Sequence, residues 1–132
     1  MNSKEVEEFA IKKVKEYLLK KGLKVKRIES KGHGDLMVGD KIIEVKGDSD
    51  DWNYKKGDQV RYYIELNSAE LINKFEKNPD KFEIYCVFGI KNNPKCVVVS
   101  GKELKEKANR VLKSIKYNTP KEFWKDKEAF DL

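Results

Sequence analysis

The chain has one histidine, one glutamine and two cysteines in 132 residues. With a single histidine, no CxxC pair and the cysteines ten positions apart, at Cys86 and Cys96, a zinc centre built from the usual imidazole and thiolate ligands is excluded. Both cysteines lie in apolar runs, EIYCVFGI and CVVVS, and read as buried free thiols. A disulfide stays open if their strands form a hairpin. No apolar run approaches the roughly 18 residues a membrane span requires. The start, MNSKEVEEF, is charged and lacks a signal-peptide pattern, so the expected location is cytoplasmic. Internal repeats and linker-like stretches are also missing, and the length suits a single domain over 1–132.

What is abundant is charge. Asp, Glu, Lys and Arg make up 39% of the chain, and the formal net charge is +6, which suits a polyanion such as nucleic acid. The lysines are interspersed with glutamates, so the same composition also fits a merely solubilising surface. Lys dominates the cations, Glu is common and Gln59 stands alone, a pattern associated with thermophilic proteins.

The patterning predicts a helix starting near Ser3 as N-cap, with Val6, Phe9, Ala10, Val14, Tyr17 and Leu18 at helical spacing and Gly22 as its stop. LKVKRIES reads as a first strand. Leu36–Val38 and Lys41–Val45 are strands two and three, joined by the turn Gly39-Asp40. GDSDDWNYKKGDQ reads as an exposed loop, VRYYIEL as a strand, and SAELINKFEK as a helix capped by Asn67 or Ser68. FEIYCVFGI and KCVVVS are two further strands. Ser100 with Glu103 opens a helix expected to reach about Ile115. Thr119 with Glu122 opens a last helix carrying Phe123, Trp124 and Phe130. The expected class is a three-layer α/β or α+β domain, its core spanning about 3–100 and C-terminal helices filling 101–132.

The stretch GHGDLMVGDKIIEVKG sets the functional question, because it places charges inside a hairpin that is otherwise apolar. With Gly39-Asp40 as the turn, paired residue numbers sum to 79. Asp35 then faces Glu44 with Cβ atoms about 5 Å apart. Lys46 falls on the same face, and His33 opposes Lys46 if pairing continues. Leu36, Val38, Ile43 and Val45 form the other face. Two carboxylates this close repel each other, and a hard divalent cation resolves the repulsion. The Val45 carbonyl is a further candidate oxygen. On the first helix, Glu7 shares a stripe with Ala10 and Val14 and can face the sheet, with Glu8 as the alternative.

At these residues the chain resembles the PD-(D/E)xK nuclease superfamily, which has an acid at one strand end followed by E-x-K on the next. Asp35 matches the first acid, Glu44-Val45-Lys46 the E-x-K, and Glu7 in VEEFA the glutamate of the entry helix. YIELNSAEL followed by FEIYCVF is similar to the strand, helix and strand of Mrr-like restriction nucleases and of the nuclease-like domain of plant NO VEIN proteins. The resemblance covers roughly Glu7 to Val99. One departure is Gly34, where the family often has Pro or an aliphatic or aromatic residue.

The resemblance implies a restriction-endonuclease-like αβββαβ core with a mixed central sheet flanked by helices. It implies an endonuclease that uses Mg²⁺ or Mn²⁺ to hydrolyse phosphodiester bonds, with DNA as the expected partner and a homodimer left open. Asp35 and Glu44 would hold the metal, and Lys46 would serve the attacking water or the phosphate. His33 is a base or phosphate contact, or a loop residue without a role. Glu70 lines the site or caps its helix. Trp52 and Tyr54 with Lys55 and Lys56 suit stacking on exposed bases, or else form a loop folded over its own aromatics. The competing function is a non-catalytic nucleic-acid-binding or assembly module on the same fold.

Overall fold

The computed structural model describes residues 1–30, 32–50, 52 and 62–132. Helix α1 spans Ser3–Lys20. Its cap is Asn2 rather than Ser3. The Asn2 side chain accepts from Glu5 N at 2.9 Å, and Glu5 Oε1 accepts from Asn2 N at 3.3 Å, a reciprocal capping box. At the other end Gly22 takes a positive φ of 82°, which lets Leu23 N reach back to Leu18 O and closes the helix.

Among the described residues nine strands follow in two sheets. The larger has six strands: β1 (Lys26–Arg27), β2 (Leu36–Val38), β3 (Lys41–Asp48), β5 (Phe82–Phe88), β6 (Lys95–Ser100) and β9 (Phe130–Asp131), adjacent in that order. Only β3 and β5 run parallel, so the sheet is mixed. That parallel step needs a crossover, and α2 (Ala69–Lys77) lies within it. β4 (Tyr62–Glu65) leaves this sheet and pairs with β8 (Lys116–Thr119), which pairs in turn with β7 (Asn109–Arg110). Two short helices, α3 (Gly101–Lys107) and α4 (Lys121–Lys125), and a 3₁₀ turn at Pro79–Lys81 complete the described elements. The chain is thus mixed α/β with a mixed sheet.

Strand alternation divides the interior in two. Leu36, Ile43, Val45, Tyr85, Val87 and Cys96 pack with the buried stripe of α1. Ile84, Cys86, Phe88, Val97 and Val99 project to the opposite side, against α2, α3 and α4. Cys86 and Cys96 consequently face opposite sides of the sheet and are both free, which removes the disulfide alternative.

Several expectations are corrected. The first strand is two residues long rather than eight. The helix from Ser100 ends at Lys107 instead of about Ile115, because the segment beyond it pairs as β7 and β8 and buries Tyr117. Thr119 is not a helix cap. It ends β8, where its hydroxyl donates to Tyr62 O and accepts from Trp124 Nε1. Phe130 belongs to an edge strand, so 101–132 is only partly helical.

Candidate active site

The hairpin has the expected register. Leu36 pairs with Ile43, Met37 with Ile42 and Val38 with Lys41. Asp35 stands one step past the ladder. Its N–H donates to Ile43 O at 3.1 Å and its C=O accepts from Ile28 N at 2.9 Å, so the backbone is pinned from both sides. Its carboxylate accepts a 2.8 Å hydrogen bond from Val45 N. In an extended strand the N–H and C=O of one residue point to the same edge. The Val45 carbonyl therefore faces the edge occupied by Asp35.

Glu44 projects from β3 between Ile42 and Lys46 and is fully buried. Among the described residues neither of its carboxyl oxygens has a hydrogen-bond partner, an expensive arrangement for an interior acid. The nearest compensation is Lys46, whose Nζ lies 3.5 Å from Oε2. Burial pushes the Glu44 carboxyl well above its usual range. Lys46 opposes that shift, and the adjacent Asp35 adds to it. Lys46 is itself held at its far side by Asn67 Oδ1 at 3.2 Å.

A cleft of ≈ 460 Å³ opens beside Asp35 and Asn67 and is also lined by Glu7 and Gly34; Glu44 and Lys46 are not among its lining residues. α1 supplies Glu7, half-buried, to the same wall as Asp35. Glu8 also reaches this cleft but is engaged by Arg27 in a two-pronged contact of 3.1 and 3.3 Å, which holds its carboxyl below the usual range. Glu7 rather than Glu8 is thus the helix acid not committed to Arg27.

His33 does not oppose Lys46. Gly34 adopts φ +101°, and the chain turns away from the ladder there. A Cβ at Gly34 would come within 2.5 Å of Ile42 Cγ2, and the positive φ disfavours other residues, which accounts for glycine here. His33 instead lies between Glu70, at 3.5 Å from Nε2, and Lys74, at 3.4 Å from Nδ1. Glu70 therefore pairs with His33 and Lys74 at the start of α2 rather than with the buried carboxyls. The helix cap is Ser68, whose Oγ accepts from Leu71 N and donates to Gly32 O. Trp52 is no stacking platform. It is buried against Phe88 and Trp124, with ring centroids 5.2 and 5.9 Å away. Tyr54, Lys55 and Lys56 lie outside the described residues.

Asn67 is the site residue that sequence reasoning missed. Its φ of 58° is a conformation that Asn tolerates better than most residues, and an Asn between a strand and a helix cap was the available signal. Among the described residues, no cluster of three His, Cys, Asp or Glu side chains could hold an ion. A cation here would rest on Asp35, Glu44 and the Val45 carbonyl. That donor set of oxygens suits Mg²⁺ or Mn²⁺, which typically complete their shell with water and substrate phosphate. The Glu44 oxygens, without a hydrogen bond among the described residues, fit such a role. No helix among the described residues is long and apolar enough to cross a membrane. Comparison with protein-family models, curated proteins and solved structures finds no match to this chain.

Proposed function

We propose that the chain is a metal-dependent endonuclease that hydrolyses phosphodiester bonds of DNA, built on a restriction-endonuclease-like core. The observation that carries this reading is Glu44: a fully buried carboxyl with no hydrogen-bond partner among the described residues, 3.5 Å from a lysine and next to Asp35, which lines an open cleft. A buried carboxyl compensated by a single ion pair, with no hydrogen bond besides, is costly to retain. The succession α1, β1–β2–β3, α2, β5 supports the αβββαβ reading, with β4 diverted into a second sheet.

In this reading Asp35, Glu44 and the Val45 carbonyl hold Mg²⁺ or Mn²⁺. A bound divalent cation lowers the pKa of water and polarises phosphoryl oxygens. Asp35 is kept in place by the Val45 N–H, so its free oxygen has a fixed aim. Lys46, anchored by Asn67, offsets negative charge as it builds on the phosphate. Glu7 faces the same cleft from α1 and orients water on that side. The +6 net charge favours a polyanionic substrate.

A plasmid-nicking assay tests the proposal. The wild type is expected to convert supercoiled to open-circular DNA with Mg²⁺ or Mn²⁺ and to stop on chelation. Conversion that continues at the same rate in Glu44→Gln removes the proposal.

A further inference from the structure

A second cavity, of ≈ 370 Å³, adjoins the cleft and shares Arg27, Ile28 and Glu29 with it. Its floor follows from the sheet register. Lys26 pairs with Met37 and Met37 with Ile42, so these three residues form one row across β1, β2 and β3. Ile42 packs toward the α2 side, whereas Ile43 packs toward α1. The row therefore lies on the sheet face that carries Glu44, and Ile42 precedes Glu44 by two residues, about 7 Å along the strand. Between pocket and cleft stands Gly34, whose bare backbone lies directly on Ile42 and near Ile28.

The interior is aliphatic and thioether carbon from Ile28, Met37 and Ile42. The charged lining residues are Lys26, Arg27 and Lys74 against one carboxylate, Glu29, with His33 beside Lys74. Arg27 is engaged with Glu8 and Lys74 with Glu70, so Lys26 sets the sign at the mouth. The volume is at the lower end of the roughly 300–1,000 Å³ range of small-ligand pockets, suited to one flat ring system with an anionic tail.

We infer that this pocket receives an unstacked base of the strand whose phosphate lies in the cleft, so that the substrate is DNA with unpaired nucleotides rather than continuous duplex. The inference rests on the nuclease reading and narrows its substrate. Enzymes that grip a base outside the stack hold it between apolar side chains, and an unpaired base comes without the cost of opening a pair. The adjoining cations meet the flanking phosphates.

The test is binding without cleavage, in chelator, by fluorescence anisotropy of a labelled oligothymidine strand and of a hairpin duplex of equal length. The wild type should bind the single strand about tenfold more tightly than the duplex. Met37→Glu, which puts a carboxylate on the half-exposed floor, should remove most of that preference. Lys12→Gln, an equal charge change on the exposed side of α1, should shift both affinities by less than about twofold. Should Met37→Glu fail to fold by circular dichroism, Met37→Ala should weaken single-strand binding about fivefold. Equal affinity for both forms in the wild type, or a Met37 variant that behaves like Lys12→Gln, overturns the inference. Nicking of continuous duplex only would remove the pocket and leave the nuclease reading. Strong single-strand preference without cleavage of any DNA would keep the pocket and remove the nuclease.

Discussion

Lys46 Nζ lies 3.5 Å from Oε2 of Glu44, and this contact is the nearest charge compensation for a carboxyl that is wholly out of solvent. The pair sits two residues apart on one strand, so backbone geometry alone holds the two side chains on one face. Their mutual attraction only partly offsets burial, because the Glu44 carboxyl is still pushed well above the usual carboxylate range.

That shift has a consequence for stability. Where a folded-state carboxyl pKa is raised, the folded protein binds the proton more tightly than the unfolded chain. The associated stability is full below pH 4.5 and is lost as pH rises through the folded-state value. Glu44→Gln keeps the shape and removes the titration. Its melting temperature is expected to match the wild type in acid and to exceed it increasingly as pH rises, read by circular dichroism without metal. A constant difference across pH would assign the cost to shape rather than charge.

Cation binding should reverse that order. Mn²⁺ at about ten times its dissociation constant should stabilise the wild type by ~1.4 kcal/mol. Asp35→Ala and Glu44→Gln should show no Mn²⁺-dependent change in melting temperature. The wild-type gain should grow with pH, since the ion competes with a proton for Glu44. Equal gains in all three proteins would place any metal elsewhere.

Asn67 separates two jobs, holding Lys46 and adopting φ 58°. Asn67→Gly keeps the backbone and loses the anchor, whereas Asn67→Ala also incurs roughly 1–2 kcal/mol of left-handed strain. Both variants should cleave more slowly, and only Asn67→Ala should melt substantially lower. Wild-type cleavage in Asn67→Gly would show that Lys46 needs no anchor.

Trp52 is expected to act through the core. Trp52→Ala should cost about 3–5 kcal/mol in chemical denaturation, as large-to-small changes at buried aromatics do. DNA affinity of the protein that remains folded should be unchanged. A stable variant with weakened DNA binding would return Trp52 to the surface role its polar neighbours suggest.

The hairpin was legible because the two-residue turn Gly39-Asp40 fixes the register, and the register fixes which residues face each other. The α1 stripe was legible from its 3.6-residue spacing. His33 was not, because the departure from the ladder depends on Gly34 meeting Ile42, a contact set by tertiary packing. The polar run around Trp52 gave no sign that its indole anchors against Phe88 and Trp124. The segment after Lys107 reads as helix because its apolar residues suit that period. There β8 pairs with β4, more than fifty residues earlier, and β7 adds to β8, a pairing that no local pattern reveals. Cys86 and Cys96 lie on paired strands, but their offset of one residue sends them to opposite faces.

The most direct test compares single-turnover DNA cleavage by Lys46→Ala and Glu44→Gln with Mn²⁺ binding by the same proteins. Lys46→Ala is expected to lose about 10²–10³ in rate, the usual effect of removing one preorganised electrostatic group, while keeping or slightly tightening Mn²⁺ binding. Glu44→Gln is expected to lose both. Cleavage at the wild-type rate by either variant, with both proteins folded, would contradict the assignment of this buried pair as the catalytic centre.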